Sequence, residues 1–320
     1  MYEMAKILDV LSDGRLPSRD GLESVLALDD GREARRLFSI ADDIRKRHVG
    51  EGTLFRGIVE FSSFCGNTCR YCGLNRSNKT LKRYRMPKAG ILEAVRDICD
   101  SGIGTVVLQS GEDDGLDPLW LKEVIESIKS ESDIAVTLCV GEKTRDEYRL
   151  WREAGADRYL LKIETSDRAL YESLHPGMSY DNRLRCLADL KELGYETGSG
   201  IIVGLKGQTV SSLAEDILFL AKWALDMIAI GPFIPHGRTG LSGEAAGDAL
   251  MTLKVIALTR LVTRKPNIPA TTALGEACED LRFEALRCGA NVIMQNFTPE
   301  RYSLLYDIYP KKRKEAVKAL

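Results

Sequence analysis

The sequence has no surplus of positive charge. Its 45 lysines and arginines face 47 aspartates and glutamates, leaving a formal net charge of −2 and an isoelectric point near 6.1. Nothing in that balance attracts nucleic acid or an anionic membrane. Long apolar runs are also missing: stretches such as Ile201–Leu205 are far too short to span a bilayer. The opening residues, MYEMAKILDVLSDGR, lack the apolar segment of a secretory leader. No stretch rich in proline, glycine or serine divides the chain, which implies one domain. Eight cysteines in 320 residues fit reduced thiols in a cytoplasmic protein better than a disulfide scaffold. At 44% hydrophobic, the chain can bury a large core.

Against these absences stands one dense stretch, FSSFCGNTCRYCGLNRSNKTLKRYRM, at residues 61–86. It carries Cys65, Cys69 and Cys72 in CxxxCxxC spacing. Thiolates this close can fold around one soft metal centre, and sulfur selects zinc, Cu(I) or iron–sulfur clusters. A closed structural site normally takes four protein ligands, yet the next cysteine is Cys99 and the nearest histidine His48. A cubane on three cysteines would leave one iron open. A zinc-stabilised, non-catalytic scaffold is the competing reading.

Residues 1–50 read as a helical cap, with apolar residues at helical spacing over Asp20–Leu28 and Glu33–His48. From 51 to 320 a unit recurs: short apolar strand, loop, amphipathic helix, glycine. Gly102, Gly155, Gly194 and Gly289 sit where a helix end needs a left-handed residue. Asp117-Pro118 and Thr298-Pro299 mark helix starts, and Thr144 to Glu147 is a capping box. Eight strands are expected, near 56–62, 104–110, 134–140, 157–163, 198–203, 226–231, 267–272 and 290–295. Alternation with helices implies a parallel sheet, and eight strands suggest a closed (β/α)8 barrel, an open doubly wound sheet being the alternative.

Barrel active sites lie beyond the strand C-termini, and several tips here are polar: Gln109 to Asp113, Lys162 to Thr165, and Thr271-Thr272. Helix capping suffices for Asp113 or Thr165. It does not explain Gln109 or Lys162, at the ends of otherwise apolar strands. Arg56 and Lys162 are costly as unpaired interior cations; both facing one cavity would imply an anionic guest, or a partner such as Glu60. Met227 and Met294 read by default as core filling.

The three-cysteine motif with Tyr71 before its last cysteine resembles the radical S-adenosylmethionine (SAM) enzymes. VVLQSGED, VTLCVGE, EAGADRYLLKIET, KELGYETGSGIIVGLKGQT, IGPFIPH and NIPATTALG extend the likeness over residues 30–310 to the HydE branch of FeFe-hydrogenase maturases. Methylornithine synthase and biotin synthase are more distant relatives. The resemblance implies a complete radical SAM barrel with one 4Fe–4S cluster on Cys65, Cys69 and Cys72 near its top, and SAM on the open iron. Tyr71 would hold the family's aromatic cofactor-binding position, Ser110, Gly111, Glu112 and Glu164 would serve the SAM amine side, Arg183 its carboxylate, and Gly200 to Gly204 the adenine. Arg56, Gln109, Lys162, Met227, Thr271, Thr272, Met294 and Tyr306 would line a cavity for a small anionic, sulfur- or iron-containing substrate. It further implies a flavodoxin- or ferredoxin-type electron donor, fellow hydrogenase maturases and an anaerobic cytoplasm. An amino-acid mutase or C–S bond-forming reaction is the rival within the family.

Two features depart from the branch. Lysine stands at 162 where many members have arginine, so the charge is kept and the bidentate fork lost. The last residues, YPKKRKEAVKAL, hold no cysteine for a second cluster. Cys139 at a strand tip raises an auxiliary cluster, but no four cysteines converge, so one cluster is expected. Cys99, Cys186, Cys278 and Cys288 read as small buried hydrophobes in helices.

Overall fold

The computed structural model describes residues 2–12, 15–277 and 280–310. Eight parallel strands pair in chain order and close on themselves. They are β1 (Leu54–Ser62), β2 (Thr105–Ser110), β3 (Ala135–Cys139), β4 (Arg158–Leu160), β5 (Glu196–Val203), β6 (Met227–Pro232), β7 (Pro269–Ala270) and β8 (Val292–Asn296). The seam is β1 on β8, with Arg56 opposite Met294. The sheet is therefore a barrel and not an open doubly wound sheet.

Two strands are shorter than expected, for identifiable reasons. β7 opens on Pro269, which has no N–H for the ladder. Beyond Leu160 the β4 ladder is finished irregularly: Leu161 N–H reaches Gly198 O at 2.9 Å, but Ile163 N–H is met by the Ser199 hydroxyl at 3.0 Å. The chain then turns at Glu164, whose φ is 66°.

The helix punctuation is largely as read. Gly102, Gly155, Gly194 and Gly289 have φ of 73°, 107°, 78° and 107°. Asp117 accepts the Leu119 N–H at 2.9 Å as Pro118 opens α5 (Pro118–Glu131). Thr144 and Glu147 form the capping box of α6 (Arg145–Glu153). At the far end the helix starts one residue late, with Pro299 as the cap of Glu300–Ser303 rather than its first residue.

Among the described residues three helices precede the barrel, within the expected 1–50 cap: α1 (Tyr2–Ser12), α2 (Arg19–Leu26) and α3 (Gly31–Val49). α2 packs on α9 (Val210–Lys222), and α3 on α10 (Ala249–Thr263). Their Leu22, Leu26 and Leu37 are fully buried in the same apolar core as Ile217 and Ile256; each such side chain contributes about 1.5–3 kcal/mol. The buried Lys254 ammonium closes the α2 end by donating to the carbonyls of Leu26, at 3.1 Å, and Leu28. Cys186 and Cys288 are buried as expected and Cys99 is half-buried; Cys278 lies outside the described residues. Among those residues no helix is long and apolar enough to cross a membrane.

Gly200 shows how tightly the barrel closes. A Cβ there would lie 1.9 Å from the carbonyl oxygen of Ala229 on the paired strand, and backbone cannot yield as a flexible side chain can. Gly200→Ala should therefore cost about 1–3 kcal/mol or more in thermal or denaturant unfolding. An unchanged unfolding midpoint would show that β5 and β6 can separate there without penalty.

Candidate active site at the barrel top

β1 ends at Ser62, and the segment after it returns to the same strand end. Ser62 bridges Arg85 in antiparallel sense, Ser63 N–H donates to Tyr84 O at 3.1 Å, and Met86 N–H to Phe61 O at 2.7 Å. Between these ends the loop is knitted by asparagines. Asn75 Nδ2 donates to Cys72 O at 2.7 Å, and Asn78 Nδ2 to Gly73 O at 2.9 Å. Buried Asp113 anchors the loop to the β2 tip, accepting from Ser62 Oγ at 2.8 Å and from both arms of Arg85 at 2.7 Å. Burial works against that carboxylate, but Arg85, Ser62 and the Gly115 N–H hold it below its usual range.

This loop brings Cys65, Cys69 and Cys72 to the edge of one cavity of about 290 Å³ beyond the strand C-termini. Burial pushes all three thiols up, Cys72 to about 12; the Cys69 and Cys72 thiolates are disfavoured further by a neighbouring thiolate, and that of Cys65 by the Glu112 carboxylate. Three gathered thiolates are thus unfavourable in the bare protein and become favourable around a positive metal centre. Among the described residues no three His, Cys, Asp or Glu side chains converge to hold one ion. A cubane takes one thiolate at each of three separate irons, and three soft donors suit it.

The facing wall is ionic. Buried Arg183 donates from Nε to Glu142 Oε1 at 2.6 Å and from Nη1 to the Lys162 carbonyl. Glu112 takes the Glu142 N–H at 2.7 Å, while its own carbonyl holds Gly66 N–H at 2.8 Å. Glu164 stands in the left-handed region, a conformation costing a non-glycine residue about 1–3 kcal/mol. Its backbone still pairs with β5, N–H to Gly200 O at 2.9 Å and O from Ile202 N–H at 3.0 Å. Its carboxylate meets the Lys162 ammonium at 2.8 Å, although no well-angled hydrogen bond satisfies that oxygen. Tyr71 O–H donates to His175 Nε2 at 2.8 Å, because His175 Nδ1 is committed to Tyr171 O at 2.7 Å. Burial, with Arg183 nearby, lowers the His175 pKa to about 4, so the ring is neutral.

The cavity continues without a wall into the barrel, where Gln109, Lys162, Thr271, Thr272, Met294 and Tyr306 line it. Gln109 Nε2 reaches Tyr306 O–H at 3.2 Å. Ser110, Gly111, Cys139, Ile308 and Tyr309 border it too. Four expected residues do not. Arg56 and Met227 lie a layer beneath and meet each other, Nη1 to Sδ at 2.8 Å. Burial and nearby Arg158 lower the Arg56 pKa to about 10. Two cations facing one cavity was therefore too many: Lys162 faces it with Glu164 as partner, while Arg56 contacts a thioether. Gly200 and Gly204 are also outside the lining. They pack on backbone, Gly204 (φ 89°) so close to Gly247 that a Cβ would lie 2.3 Å from its Cα.

Several participants escaped the sequence reading. Glu142 follows Gly141 at the β3 tip, so the strand-tip rule could have found it. Asn67, which also borders the cavity, His175 and Asp216 carried no local signal. Asp216, on α9, is fully buried and accepts from Ser166 N–H at 2.5 Å, Ser166 Oγ at 2.6 Å and Thr165 Oγ1 at 3.3 Å. It thereby pins the turn that follows Glu164.

Residues 59–220 match the radical SAM superfamily. The chain is 49% identical over 295 residues to the FeFe hydrogenase maturase subunit HydE of Thermotoga maritima, spanning 92% of this chain and 84% of that one. It is 29% identical to 3-methylornithine synthase of Methanosarcina acetivorans, over 86% of this chain and 78% of that one. The crystal structure of methylornithine synthase superposes with a TM-score of 0.84 at 25% identity, covering 98% of this chain and 91% of that one.

Asp216 supplies a test with a defined sign. Burial raises its pKa to about 6 against the opposing Ser166, Thr165 and Gln208 hydrogen bonds, compared with about 3.9 in an unfolded chain. The folded state binds that proton more tightly, so this group's contribution to stability is least above pH 6 and grows as pH falls towards 4. Relative to Asp216→Asn, which cannot titrate, the parent should gain on the order of 1–3 kcal/mol between pH 7 and pH 4. A difference in unfolding free energy that stays flat with pH would refute it.

Proposed function

The chain belongs to the radical SAM superfamily and is a radical SAM enzyme homologous to the hydrogenase maturase HydE, and we propose that it acts in assembling the FeFe-hydrogenase active-site cofactor. Its substrate would be a small anionic molecule containing sulfur or iron, held inside the barrel. One observation carries the reading: the three thiols, the Arg183 and Glu164 groups and the polar barrel interior border a single continuous cavity.

Cys65, Cys69 and Cys72 would hold the cluster, with Cys139 also on the cavity wall. When bound there, a 4Fe–4S cluster supplies the electron that cleaves SAM reductively to methionine and a 5′-deoxyadenosyl radical. Tyr71, Ser110, Gly111, Glu112 and Glu164 would orient SAM. The Arg183 fork suits its carboxylate, with Glu142 keeping that guanidinium in place. Gly200 and Gly204 would act by letting the strand backbone pack closely, not by touching the ligand.

Deeper in, Lys162 offers one positive charge among the neutral donors Gln109, Thr271, Thr272 and Tyr306, with Met294 as soft apolar filling. Arg56 and Met227 would serve as the layer below. Partners under this reading are a flavodoxin- or ferredoxin-type electron donor and fellow maturases, in an anaerobic cytoplasm. The Lys162–Glu164 pair favours one rival: a fixed cation and anion side by side also suit an amino-acid zwitterion, as in an amino-acid mutase.

Anaerobic reconstitution tests the core of this. The protein should take up about four irons and four sulfides, and form 5′-deoxyadenosine from SAM under reduction. Alanine at Cys65, Cys69 or Cys72 should abolish both, whereas Cys186→Ala or Cys288→Ala should not. Stoichiometric zinc with no capacity for iron would sink the reading.

The substrate side is tested at Lys162. Lys162→Met leaves the Glu164 carboxylate unpaired and should lower substrate-dependent turnover about tenfold or more. Lys162→Arg preserves the charge and should retain turnover on a maturase precursor. If both fall to background while SAM alone is still cleaved, the cavity is shaped for a different molecule.

A further inference from the structure

The return segment of the cysteine loop carries a second arginine whose surroundings differ from those of Arg85. Arg83 is half-buried and turns its guanidinium into the loop. Nη1 donates to the Ser63 carbonyl, upstream of Cys65, and to the Leu74 carbonyl, downstream of Cys72, at 2.7 Å. Nη2 donates to the Asn75 carbonyl at 2.8 Å. One planar fork therefore grips both ends of the segment that carries all three thiols.

Every one of these acceptors is a neutral carbonyl. Among the described residues Arg83 makes no ion pair, whereas Arg85 is neutralised by Asp113. Burial opposes the Arg83 charge, and the Cys65 and Cys72 thiolates favour it. Reciprocally, Arg83 favours both thiolates, alongside N–H groups of Asn67 for Cys65 and Leu74 for Cys72. A guanidinium without a carboxylate partner costs more the less water reaches it.

We propose that Arg83 is a positioning residue for the metal centre: it clasps the cysteine loop shut and supplies the fixed positive charge that balances the thiolate-bound cluster. The proposal rests on the assignment of a 4Fe–4S cluster to Cys65, Cys69 and Cys72. A cubane on three thiolates is anionic and becomes more so on gaining an electron. A fixed cation beside it therefore favours the reduced form and raises the reduction potential. A lysine could keep the charge, but a point donor on a flexible stem cannot bridge three carbonyls.

The test uses the full chain, reconstituted anaerobically, without SAM or substrate, as Arg83→Gln and Arg83→Lys. Potentiometric titration with dithionite followed by electron paramagnetic resonance gives the midpoint. Iron release to a chelator gives retention, and melting of the apo-protein checks the fold. Arg83→Gln should move the reduction equilibrium about tenfold towards the oxidised form, or about 59 mV for one electron. Arg83→Lys should keep the parental midpoint, and both variants should release iron about tenfold faster or more, as lost outer-shell partners do. A glutamine variant that loads no cluster, beside a lysine variant that does and parental melting in both, would also support the charge role. Parental midpoint and retention in Arg83→Gln would overturn the proposal while leaving the cluster assignment intact. So would equal loss of apo-protein melting temperature in both variants, which marks a purely structural arginine. A parent protein that takes up no iron would remove the cluster assignment, and this proposal with it.

Discussion

Gathering three thiols at one buried edge is the constraint on which the rest of this structure depends. Burial disfavours each thiolate, so the charged form of Cys65, Cys69 and Cys72 is gained on binding a positive metal centre, and other bonds must gather the thiols. The loop holding them has no regular ladder of its own. It is closed instead by side-chain bonds: Asn75 and Asn78 within, Arg83 across its ends, and Asp113 with Arg85 at the base. Much of the polar chemistry between residues 61 and 86 serves to keep this short stretch in one shape before any cluster arrives.

A second investment of strain lies across the cavity. Glu164 occupies a conformation that disfavours any residue but glycine, and the surroundings hold it there from both sides. The β5 backbone takes its N–H and its carbonyl, while buried Asp216 fastens the following Thr165 and Ser166. A strained residue pinned this way keeps its carboxylate aimed at the cavity with little freedom to lose on binding a ligand. The same logic applies to Arg183, already held by Glu142. The cavity wall thus carries fixed groups of both signs, Glu164 beside Lys162 and Arg183 beside Glu142.

Much of this was legible beforehand. The eight strands, the four glycine joints and the Asp117 and Thr144 caps follow from local rules, because each expresses a conformational preference of a few adjacent residues. Cysteine spacing is equally local, so the metal motif stood out. The strand-tip rule found Gln109 and Lys162, and applied once more at Gly141 it would have found Glu142.

What the chain order alone determined is thus the alternation of strand and helix, the barrel it implies, and the three thiols in one loop. Only the tertiary structure decided which polar groups share a cavity, since that depends on how far each strand rises within the closed barrel. It separated Arg56 and Met227 from Lys162, moved Gly200 and Gly204 from lining to packing, and brought Asp216 and His175 beside residues distant in sequence. Closure of a sheet is a global condition. It assigns depth, and depth distinguishes an arginine facing a ligand from one resting on a methionine sulfur.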